Sequence, residues 1–170
     1  DETTVTDCTF ENEGQYFWTG TADNITFTRC KFNGLERAVK VCTVGNAGTR
    51  VVTFNDCEFK ATTQVKAAIE IDGSKGSSYT VNINNCTESG FAKGANTGLS
   101  LFNVEGAENV TVVVDGNTWL GNGLYENENG DKVAYSEAGL KEALKNGDNI
   151  MLDNPFTIDQ SESNGYGKTG

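Results

Sequence analysis

Segments of the chain repeat one arrangement of apolar and polar positions. VTDCTF (5–10), ITFTRCKF (25–32), VTFNDCEF (52–59) and VNINNCTE (81–88) align without gaps on Cys8, Cys30, Cys57 and Cys86. A further line, VVVDGNTW (112–119), joins them with Asn117 in the cysteine column. Five positions before that column stand Thr3, Ile25, Val52, Val81 and Val112; three before it stand Val5, Phe27, Phe54, Ile83 and Val114. Two after it stand Phe10, Phe32, Phe59, Glu88 and Trp119. Mostly polar residues fill the gaps, Thr26, Thr53 and Asn82 among them. Alternation with period two predicts a strand with one buried face. The odd step from Phe54 to Cys57 predicts a bend just before the cysteine.

The aligned lines recur at 22, 27, 29 and 31 residues, so one strand returns to the same place through connections of varying length. A second strand follows each: QYFWTG (15–20), AVKVCTV (38–44), AAIEIDG (67–73) and GLSLFNV (98–104). These alternate too, but which of their faces turns inward is open. Turn-rich segments such as FNG, DGSKGSS and KGANTG separate the strands. Two strands per 22–31 residues predict stacked coils about 4.8 Å apart, with equivalent side chains in ladders. An antiparallel sandwich also explains the alternation, but not the recurrence of one segment in register.

After Trp119 the pattern stops. Ser136 precedes a helical stretch as a good N-cap, with Glu137 in the first turn, Leu140, Ala143 and Leu144 on one apolar face, and Gly147 as a C-cap. Residues 1–131 are read as the coil domain. Residues 132–170 are read as a helix-containing cap or the start of a further segment, able to associate head to tail with another chain.

The lines ITFTRCKF and VTFNDCEF are similar to coils of right-handed parallel β-helix proteins of the pectate-lyase-like superfamily, in particular the repeat-rich surface proteins of bacteria. The resemblance covers about residues 3–119. It implies an all-β fold: a right-handed parallel β-helix of about five coils, with a short amphipathic α-helix near the C-terminus. The superfamily hosts lyases, hydrolases, adhesins and phage tailspikes, so it specifies architecture more than activity.

Composition narrows the chemistry. The chain has 170 residues, a net charge of −11, five cysteines and no histidine. The negative charge opposes nucleic acid, and no apolar run has the length to span a bilayer. Without histidine there is no Ser-His-Asp or Cys-His site. The aligned cysteines read as small core residues: their parallel Cβ vectors oppose disulfides between neighbouring coils, and a line of thiols is not the tetrahedron of a zinc site. No metal ligands are assigned.

The expected function is a non-catalytic extracellular or cell-surface module, structural or adhesive, with a glycan or host-surface ligand as partner and no cofactor. Tyr16 and Trp18 are the ligand-binding candidates, since one face of YFW can offer rings for sugar stacking. The competing readings are a polysaccharide lyase or hydrolase acting on acidic glycans, and a phage tail or fibre component. Under the enzyme reading Asp7, Arg29 and Asp56, one per coil, are the catalytic candidates, and calcium enters as a cofactor.

Overall fold

The computed structural model describes residues 2–11, 17–19, 24–34, 36–43, 48–61, 63, 65–121 and 123–153. It is mostly strand, with parallel sheets and one α-helix. The chain divides into two compact units, Asp1–Asp115 and Gly116–Gly170.

In the first unit each repeat supplies one strand to each of three parallel sheets. The first repeat gives β1 (Glu2–Thr6), β2 (Thr9–Glu11) and β3 (Phe17–Trp18); the second gives β4 (Asn24–Thr28), β5 (Lys31–Gly34) and β6 (Val39–Val41). The third gives β7 (Gly48–Asn55), β8 (Glu58–Ala61) and β9 (Ile69–Asp72); the fourth gives β10 (Ser77–Asn84), β11 (Thr87–Ser89) and β12 (Phe102–Glu105). A fifth strand of the first sheet, β13 (Val110–Val114), follows a 3-10 turn at Ala107–Asn109. The sheets run β1-β4-β7-β10-β13, β2-β5-β8-β11 and β3-β6-β9-β12.

The register reproduces the sequence columns. Thr3, Ile25, Val52, Val81 and Val112 pair in succession, as do Val5, Phe27, Phe54, Ile83 and Val114. Phe10, Phe32, Phe59 and Glu88 pair along the second sheet. The core is therefore a set of ladders. Phe27 stacks on Phe54 and Phe32 on Phe59, both with centroids 5.3 Å apart. The two columns meet edge to face, Phe27 to Phe32 at 5.3 Å and Phe54 to Phe59 at 5.5 Å. Each such aromatic pair adds about 0.5–1.5 kcal/mol beyond the area it buries. In the third sheet Val39, Ile69 and Phe102 are fully buried, and so are Val41 and Ile71. This resolves the inward face that the alternation had left open.

Between the first two sheets the chain turns at a single residue. Asp7, Arg29, Asp56 and Asn85 have φ of 55°, 51°, 54° and 50°, in the left-handed region. Asp and Asn enter this region at lower cost than most residues. The cysteine follows at each corner and donates its thiol to backbone carbonyls. Cys57 reaches Asn55 O at 3.3 Å and Phe27 O, one repeat away, at 3.5 Å; Cys86 does the same with Asn84 O and Phe54 O at 3.4 and 3.5 Å. Cys30 and Cys57 are buried, Cys86 is half-buried and Cys8, in the first repeat, is exposed. All five cysteines are free thiols.

The fifth line departs from the expected ladder. Asp115 and Gly116 are both left-handed, with φ of 48° and 82°. Two such residues in succession form the backbone of a hairpin turn, not of a one-residue corner. Trp119 accordingly does not extend the Phe10, Phe32, Phe59 column. It lies on β14 (Asn117–Gly121), which pairs antiparallel with β15 (Leu124–Glu126).

The second unit continues with β16 (Lys132–Ala134), α1 (Glu137–Asn146) and β17 (Ile150–Leu152), the last running parallel to β16. Ser136 caps α1 by accepting from Gly139 N at 3.3 Å, and Gly147 closes it at φ 68°. Leu140 and Ile150 pack on Leu124, Ala134 and Ala143. Leu144, expected on that apolar face, is 50% exposed instead. A 3.6-residue period carries it past the edge of a stripe already filled by Leu140 and Ala143.

Candidate functional site

The corner column holds the three residues expected to be catalytic under the enzyme reading, and the fold aligns them on successive repeats. Arg29 makes a two-pronged bond to Asp7, Nε to Oδ1 at 2.7 Å and an NH2-group nitrogen to Oδ2 at 3.0 Å. That contact holds the Asp7 carboxyl below its usual range. Asp56 accepts from Asn85 Nδ2 at 2.6 Å, and Asp115 accepts from the Asn85 backbone N–H at 2.7 Å. Each polar side chain here supports the corner of a neighbouring repeat. Beside the column lies a depression of about 330 Å³, lined by Arg29, Lys31, Asp56, Glu58, Asn85 and Thr87, with Cys30 and Cys57.

A second outward column is richer in recognition chemistry. In the third sheet Trp18 pairs with Lys40, Lys40 with Glu70 and Glu70 with Asn103. Their neighbours Phe17, Val39, Ile69 and Phe102 form the inward ladder, so strand alternation turns these four away from it, although Asn103 is buried. Trp18 is 50% exposed, and its indole N–H donates to Cys42 O, which fixes the ring edge. Phe17 turns the other way and lies 4.5 Å from the Phe10 ring. Tyr16 lies outside the described residues.

Glu70 sits two repeats from Trp18. Burial pushes its carboxyl above the ordinary range, against the opposing pull of Arg37, Asn103 and Lys40. Asn103 Nδ2 stands 3.5 Å from both Glu70 oxygens. Asn103 is itself held by the connection before β12, because its Oδ1 accepts from Asn96 N at 2.9 Å. The column thus offers an aromatic ring, a cation and a carboxyl group of raised proton affinity, at steps of about 4.8 Å, while Asn103 is buried and engaged with Glu70 and Asn96. Lys40, Glu70 and Asn103 were not among the sequence candidates. Their signal was present: each stands between two apolar residues, in VKV, IEI and FNV.

Among the described residues no group of three or more Cys, Asp and Glu side chains is arranged to hold a metal ion. None of their helices is long and apolar enough to cross a membrane. Comparison of the chain with protein-family models, curated proteins and solved structures found no match.

Proposed function

We propose that this chain is a non-catalytic extracellular module of the right-handed parallel β-helix type, belonging to a bacterial surface protein and binding glycan along its third sheet. The three-sheet order and the in-register ladders support the β-helix reading, since a coil that returns every 22–31 residues generates both. The resemblance of the repeat lines to pectate-lyase-like coils supports the superfamily and the surface location.

The outward column of Trp18, Lys40 and Glu70 carries the binding reading. An exposed ring with a fixed edge suits the apolar face of a sugar. The ammonium and carboxyl groups beyond it suit the hydroxyls of successive residues along a chain. The non-catalytic reading draws support from the corner column. There Asp7, Arg29 and Asp56 are engaged in side-chain bonds with the corner residues of neighbouring repeats.

Incubation with acidic polysaccharides, with and without calcium, tests this. The expected outcome is retention of the protein on the polymer with no new reducing ends. Chain cleavage that disappears in Asp56→Asn would overturn the reading in favour of a lyase or hydrolase.

A further inference from the structure

We propose that Cys57 and Cys86 form a two-coordinate site for a thiophilic monovalent ion of the Cu(I) class. These thiols belong to adjacent repeats, whose strands β7 and β10 pair in register up to Asn55 and Asn84. The Cys57 backbone N–H donates to Cys86 Sγ at 3.4 Å, which places that sulfur against the neighbouring cysteine.

A line of thiols cannot make a tetrahedron, but a linear two-coordinate ion needs only two sulfurs stacked one repeat apart, about 4.8 Å. Soft thiolates select Cu(I) among the biological metals. Access is provided from outside: Cys86 is half-buried, and the depression beside the corner is lined by Cys57, with Arg29 and Lys31 balancing Asp56 and Glu58.

Charge and protons balance without a redox step. Cu(I) enters with one positive charge and both S–H protons leave to solvent. The S–Cu–S unit retains one negative charge, which the Cys57 N–H faces.

Anaerobic titration of the intact chain against a chromogenic Cu(I) chelator tests the site. One tightly held ion per chain is expected, with two protons released. Cys57→Ser and Cys86→Ser should each abolish it, and Cys42→Ser should retain it. Copper X-ray absorption of the loaded wild type should give two sulfur neighbours, and this reading stands even where a serine variant fails to fold. Failure of the wild type to withdraw copper from the chelator would overturn the proposal. So would unchanged stoichiometry in both serine variants, or a shell of three or more ligands.

Discussion

Asp56 stands at a φ of 54°, where the left-handed backbone costs an ordinary L-residue about 1–2 kcal/mol. A β-branched residue there is worse, because its second γ atom crowds the carbonyl. Asp56→Val should therefore lower stability by about 1–3 kcal/mol. Asp56→Gly should lose less, since it gives up only the bond from Asn85 and none of the backbone preference. Denaturant midpoints compare the two, and equal losses would show that the corner conformation is not what selects Asp56.

Glu70 makes a pH-dependent prediction at the same scale. Its folded carboxyl titrates above the ordinary value of 4.5, mainly through burial. The folded chain then holds this proton more tightly than the unfolded chain. Its contribution favours folding below the unfolded pKa and declines as pH rises through the raised folded value. Glu70→Gln removes that titration. Thermal midpoints measured across this window should shift in favour of Glu70→Gln relative to wild type as pH rises. A constant difference would contradict the burial of Glu70.

At the scale of elements, the aromatic ladders bear most of the packing. Phe54 is fully buried and contacts Phe27, Phe32 and Phe59. Phe54→Ala should cost about 3–5 kcal/mol, because a stack held by repeats on both sides collapses little around the cavity. Chemical denaturation measures it, and a loss near that of a surface substitution would refute the ladder. In the second unit the helix start depends on Gly123. It has φ 78°, and a Cβ there would collide with Ser136 Oγ, the N-cap hydroxyl. Ser136→Ala should cost about 1 kcal/mol. Gly123→Ala should cost more, since it displaces the cap and strains its own backbone. Helix content and midpoint of the two variants check this ordering.

At the scale of the whole molecule, the ladders of the first sheet were legible because the repeat fixes both parity and register. Once the cysteines are aligned, Val52, Phe54 and Phe59 can only face one way. The bend before Cys57 was legible from the odd step, but its residue was not. The corner falls on Asp56, which had entered only as a catalytic candidate, because a left-handed φ leaves no mark in hydrophobic periodicity. Trp119 misled for the converse reason. VVVDGNTW keeps the apolar spacing, yet its Asp-Gly pair carries a turn preference stronger than the column match. The proposed binding column was half legible: Trp18 announced itself as an aromatic. Lys40, Glu70 and Asn103 could be aligned with it only once the inward face of the third sheet was known.

The central claim is that this outward column recognises glycan. Binding of wild type, Trp18→Ala and Glu70→Gln to a glycan array tests it most directly. The account predicts that wild type retains a defined set of glycans and that Trp18→Ala loses them at unchanged thermal midpoint. Glu70→Gln should alter their ranking. Binding that survives Trp18→Ala with affinity and selectivity intact, or a wild type that retains no glycan, would contradict it.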